Sequence, residues 1–139
     1  MRLNFAVFVQ EARINPEGGV EMANPIVDLS ADNFPAVHAE SAVVVNFCPE
    51  DTAEHELKII ITGGYKKDCI DPYVTKLPAV QSSDYSVGHI VSFRDISLEQ
   101  AGDYKVEIII DGEILTTLPF VVRRGVNEPC SPPTDCEAK

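Results

Sequence analysis

Tryptophan is absent from the 139 residues, so no indole anchors the core. No stretch approaches the ~18 consecutive apolar residues that a membrane-crossing helix requires. Basic residues are scarce, 11 against 22 acidic ones, which leaves a net charge of −11. Such a surface repels phosphate backbones and anionic headgroups, so the expectation is a protein that binds neither nucleic acid nor membranes. The acidity itself reads first as a solubility device. Helical periodicity is missing too: no segment sustains it over three turns, apart from a single candidate turn around Leu98–Ala101.

The opening run Met1-Arg2-Leu3-Asn4-Phe5-Ala6-Val7-Phe8-Val9-Gln10 has the length of a short leader peptide. Its apolar stretch is interrupted at Asn4, ends at Gln10 and offers no small-residue cleavage site. It reads as a first strand that keeps its methionine, which points to the cytoplasm.

What is present is strand periodicity. At this length one domain buries roughly 65–70% of its unfolded surface and needs neither disulfide nor metal. Leu57, Ile59 and Ile61 share a face that Glu56 and Lys58 do not; Tyr104, Val106, Ile108 and Ile110 alternate with Lys105 and Glu107. That is the period of a half-buried strand. Punctuation divides the chain into about seven strands, near 2–10, 20–29, 39–48, 54–62, 88–96, 103–110 and 113–122. Asn15-Pro16-Glu17-Gly18-Gly19 is a turn, and Asp111-Gly112 between two alternating runs is the signature of a two-residue type I′ hairpin. Pro25 marks an edge or a bulge. The long connection 63–87 has room for a short strand near Tyr73–Leu77. From residue 125 on, prolines, Cys130 and Cys136 without periodicity read as a disordered tail, which leaves residues 1–124 as the domain.

The segment Leu98-Glu99-Gln100-Ala101-Gly102-Asp103-Tyr104 is a short turn running into a strand, with glycine two residues before tyrosine. It resembles the tyrosine corner of immunoglobulin-like sandwiches, in which the phenol bonds to backbone upstream. The fold class expected is therefore all-β, an immunoglobulin-like antiparallel sandwich of about seven strands. Val106 stands where antibody domains carry a cysteine, so their disulfide is absent along with their indole. The run Leu3-Asn4-Phe5-Ala6-Val7-Phe8, the Gly-Gly turn, Pro35-Ala36-Val37-His38 and Leu118-Pro119-Phe120-Val121-Val122 complete a wider likeness. Over residues 1–124 the chain resembles a family of small uncharacterised bacterial proteins, a resemblance that implies a bacterial or phage-related sandwich and no known activity.

Catalytic constellations find little support. His38-Ala39-Glu40 with Pro129-Cys130 and Cys136 has the residue types of a zinc deaminase, but five residues separate the cysteines where two are required. Ile59 occupies the second histidine position of an H-E-x-x-H motif that would begin at His55. His55 reads as a partly buried strand residue, and His38 and His89 as rim residues. Cys48, Cys69, Cys130 and Cys136 contain no C-x₂₋₄-C pair to nucleate a zinc site. Neither a phosphate loop nor a serine elbow is present. No cofactor and no catalytic residue are expected.

A non-catalytic protein-binding or scaffolding module is the expectation. Its candidate contact surface is the 63–87 connection, with Tyr65, Tyr73 and Tyr85 supplying area at low entropic cost and Lys66-Lys67 standing out on an acidic chain. The partner would be a protein or a second copy. A self-assembling structural protein and a metal-dependent enzyme are the alternatives.

Overall fold

The computed structural model describes residues 2–64, 68–79 and 86–125. Among these residues there are nine strands and no helix: β1 (Arg2–Ile14), β2 (Val20–Pro25), β3 (Asp28–Ala31), β4 (Ala36–Cys48), β5 (His55–Gly63), β6 (Tyr73–Leu77), β7 (Val87–Leu98), β8 (Gly102–Ile110) and β9 (Glu113–Arg124). They form two sheets, ordered β2-β1-β4-β7 and β3-β9-β8-β5-β6. Every pairing is antiparallel except β3 with β9, which run parallel.

Both sheets contribute to one buried cluster. Phe8, Val43, Val45, Phe47 and Val91 come from the first; Ile59, Ile61, Val106, Ile108 and Phe120 come from the second. Each such side chain removed from water contributes ~1.5–3 kcal/mol before chain entropy is counted. Phe120 links the layers directly, its ring 5.2 Å from that of Phe8 and stacked 5.3 Å from that of Tyr104. The Tyr104 hydroxyl donates 2.6 Å to the Gln100 carbonyl, which fixes the approach to β8. The stretch around Leu98–Ala101 is thus the upstream limb of this corner, with no helical turn.

One departure from the sequence expectation has a physical cause. The single strand expected over 20–29 is two strands in different sheets. Pro25 has no N–H to extend the β1 ladder, the Ile26 amide still reaches the Phe8 carbonyl, and Val27 then accepts from the Val121 amide of the other sheet. The chain changes sheets at that point, and β3 pairs with β9. The short strand expected near Tyr73–Leu77 is β6, at the edge of the second sheet.

The inward face of the first sheet also changes phase. In β7 the buried positions run Val91, Phe93 and then Ile96, Leu98, with Arg94 and Asp95 both exposed. Asp95 has φ 55°, and the strand turns over at this residue while its register with β4 is kept, His38↔Ile96 on one side and Glu40↔Arg94 on the other. The β1–β4 ladder ends at Val9↔Ala42, beyond which β1 pairs only with β2 while β4 continues along β7. The sheet therefore forks, and β1 with β2 projects as a two-stranded arm. At its tip the Asn15 side chain accepts from the Glu17 and Gly19 amides, and Gly18 takes φ 88°.

Candidate functional site

Among the described residues, a cluster of ionisable groups lies at the end of the second sheet where β5 begins and β8 turns into β9. Asp111 and Gly112 have φ of 51° and 85°, the left-handed pair of a type I′ turn. The Asp111 amide donates to the Glu56 carbonyl at 2.9 Å and its Oδ1 accepts from the Glu56 amide at 2.8 Å, so the turn is bolted to β5. Its second oxygen lies 2.5 Å from Nδ1 of His55. From the other side Asp51, on the connection between β4 and β5, places Oδ1 2.8 Å from Nε2 of the same ring. That oxygen also accepts from the Ala53 amide at 2.9 Å.

An ionised carboxylate only accepts, so a ring flanked by two of them must donate from both nitrogens, which is the imidazolium. Hydrogen bonds to Asp111 and then to Asp51 accordingly raise the pKa of His55, whose side chain is 15% exposed. Both carboxyls are held below their ordinary range, Asp111 first by His55 and then by the Glu56 amide, Asp51 first by the Ala53 amide and then by His55. Nitrogen–oxygen separations of 2.5 and 2.8 Å are proton-sharing distances and leave no room for a cation between these atoms. The arrangement can hold and release a proton and tie two loops together.

Elsewhere, Asn4 Nδ2 and Arg2 Nη2 each lie 3.3 Å from the Cys48 sulfur, and these two donors lower the thiol's pKa, Asn4 first. The arm offers a different chemistry. All six residues of β2 are exposed, and Ile14 (67%), Met22 (43%) and Val20 (40%) present apolar surface to solvent.

Of the residues singled out in sequence, Tyr65, Lys66, Lys67 and Tyr85 lie outside the described residues, as does the tail beyond Gly125. Tyr73 is half-buried, edge-on to Phe93 with ring centroids 6.3 Å apart. His38 and His89 differ from the rim residues expected. Their Nε2 atoms are buried without a hydrogen-bond partner among the described residues, and burial lowers the pKa of His89.

A family model matches residues 4–123, nearly the whole of the two-sheet unit. This chain belongs to DUF6941, a family of unknown function. No curated protein matches the DUF6941 chain in sequence. Among solved structures it is similar to the Pseudomonas fluorescens alkylpurine DNA glycosylase AlkC bound to DNA containing an abasic site analog. The identity is 12% and the TM-score 0.45, over 70% of this chain and 27% of that one. The DUF6941 chain thus spans about a quarter of the length of that neighbour, and a likeness this distant transfers neither activity nor ligand. The expectation that nucleic acid is excluded as a partner rested on net charge alone, which does not settle it, and the exclusion is withdrawn. Among the described residues no helix is long and apolar enough to cross a membrane, a statement that does not extend to β-barrels.

Proposed function

We propose that this DUF6941 protein is a non-catalytic module that binds a protein partner through the β1–β2 arm of an immunoglobulin-like sandwich. The sandwich reading is supported by the strand order β9-β8-β5, which corresponds to G-F-C of immunoglobulin domains, and by β4 beside β7, which corresponds to B beside E. The Tyr104 hydroxyl bonded to the Gln100 carbonyl at the start of β8 supports the same reading. Two strands, β1 and β2, stand where a single strand A would lie, so the arm is an addition to the pattern.

The observation that carries the binding reading is the arm's surface. An edge strand exposed at every position leaves one row of backbone donors and acceptors for strand addition. Ile14, Val20 and Met22 add side-chain anchors beside that edge. Burying such anchors is worth ~1–2 kcal/mol each, about tenfold in affinity.

The test is affinity capture from a lysate of the source organism with wild type and with an Ile14→Ser/Met22→Ser variant. Both side chains are exposed, so the variant keeps its fold within ~0.5 kcal/mol, checked by urea unfolding. The expected result is a stoichiometric protein retained by wild type and lost by the variant. Equal retention by both, or no retained protein, removes the arm as the contact surface.

A further inference from the structure

We propose that His55 is a proton-operated latch, its doubly donating ring fastening the β4–β5 connection at Asp51 to the β8–β9 turn at Asp111. The inference does not depend on the arm. It stands on the geometry: one ring bridges two segments distant in sequence, and each of its nitrogens meets an acceptor-only group. When the ring gives one proton to solvent it keeps a single N–H and can hold one carboxylate, not two. The two ends are unequal. Asp111 is independently fixed to Glu56 through its amide and its Oδ1, whereas among the described residues Asp51 has the Ala53 amide alone besides the ring. Nδ1 therefore keeps its proton, and Nε2 is left facing the Asp51 oxygen lone pair to lone pair. The connection carrying Asp51 is the part that lets go.

Most of the charges around the ring bias the latch in one direction, against the amino-terminal charge felt at Asp51 and Asp111. Glu50, Asp51 and Glu54 sit on the connection, Glu56 follows on β5, Asp111 is in the turn, and Glu113 of β9 lines the adjoining groove with Ile114 and Leu115. Lys76 on β6, opposite Glu56, is the cation nearest in register. Acidic neighbours hold the proton on the ring, which agrees with its raised pKa. The latch is closed below the ordinary histidine value and opens as pH rises above it.

The experiment is a pH titration of ¹⁵N-histidine-labelled protein, reading both ring nitrogens, together with amide-exchange protection at Ala53. The expected result is a ring with both nitrogens protonated at pH 6, loss of the proton from Nε2 first, and a fall of about fivefold in Ala53 protection through the same step. That factor corresponds to the loss of one net hydrogen bond of ~1 kcal/mol. In His55→Gln, which has no proton to lose, Ala53 protection is expected to stay constant over the same range. A neutral ring at pH 6, loss of the Nδ1 proton first, or an equal fall in protection in His55→Gln would each overturn the latch.

Discussion

Replacing Tyr104 by phenylalanine isolates the bond that anchors the corner ahead of β8. The residue is 3% exposed, its ring stacks on Phe120 at an interplanar angle of 26°, and its hydroxyl donates to the Gln100 carbonyl. Phenylalanine keeps the ring, the stack and the volume, so nothing but the polar tip is removed. A neutral hydrogen bond contributes a net ~0.5–1.5 kcal/mol, and a fully buried orphaned carbonyl would add to that. Gln100 is exposed, so water can reach its carbonyl once the phenol is gone, and the estimate settles near ~1 kcal/mol. Tyr104→Ala removes the ring as well and leaves a cavity between the sheets, at a cost of ~3–5 kcal/mol.

Urea unfolding followed by tyrosine fluorescence or circular dichroism separates these outcomes. With a slope of ~1.5 kcal/mol per molar, Tyr104→Phe should lower the midpoint by ~0.7 M at unchanged slope, and Tyr104→Ala by at least ~2 M. The reasoning fails if Tyr104→Phe unfolds within ~0.3 kcal/mol of wild type, since the corner would then be ring packing alone. It also fails if the two substitutions cost the same.

Stability should depend on pH with opposite slopes from two histidines. His55 has a raised pKa, so its contribution is complete below about pH 6.5 and disappears as pH rises through its folded value. His89 has a lowered pKa, so its contribution is complete above about pH 6.5 and is lost as pH falls towards its folded value. Urea midpoints from pH 5 to 9 should therefore lose their alkaline decline in His55→Gln and their acid-side decline in His89→Phe; unchanged profiles would refute the assignment. Gly112→Ala should cost ~1 kcal/mol in a thermal melt, because nothing lies within 4 Å of the added Cβ and only the φ of 85° opposes it. A cost above ~2 kcal/mol would mean that contacts, not conformation, hold the turn. Asp95→Ile should cost ~1–2 kcal/mol in the same assay, since a β-branched residue resists a φ of 55°, whereas Asp95→Gly should be neutral or better.

Periodicity made most strands legible, because each alternation reports a face in contact with the core. The Asp111-Gly112 hairpin and the Tyr104 corner were legible for a related reason: each is specified by residues within a few positions of one another. The sheet change after Pro25 was not, since a switch of partner leaves the alternation of Met22, Asn24, Ile26 and Leu29 almost undisturbed. The parallel pairing of β3 with β9 is set by that switch and was hidden with it. The His55 array depends on β5 and β8 lying side by side, with Leu57 opposite Ile110. Periodicity says that each strand has a buried face and nothing about which strand is its neighbour, so Asp51 and Asp111 could not be brought to the same ring. One signal was available in hindsight: an aspartate at the first position of a type I′ turn has a short side chain free to reach across to the adjoining strand.

The phase change in the first sheet explains why the arm exists at all. Along β7 the apolar residues fall at Val91, Phe93, Ile96 and Leu98, so the two halves of the strand demand opposite faces, and Asp95 in the left-handed region supplies the turn. β4 makes the same change, burying Val43, Val45 and Phe47 at one end while Ala36 packs on the core at the other, and it stays paired with β7 throughout. β1 has no second large apolar set buried in the core beyond Val9. Gln10, Glu11 and Arg13 are exposed and the small Ala12 packs only partly on the Val9–Ala42–Val44 cluster, so burial gives it little reason to follow β4 around the bend. Its backbone groups still need partners, and β2 supplies them through the Ile14↔Val20 to Glu11↔Ala23 ladder. The arm is thus what remains when one strand of a sheet loses its claim on the core but keeps its hydrogen bonds. Ile14, Val20 and Met22 then face solvent although the fold makes no use of them. Ile14 opposite Val20 and Ala12 opposite Met22 place these apolar side chains side by side on the two strands, which is a reason to look for a partner on the arm.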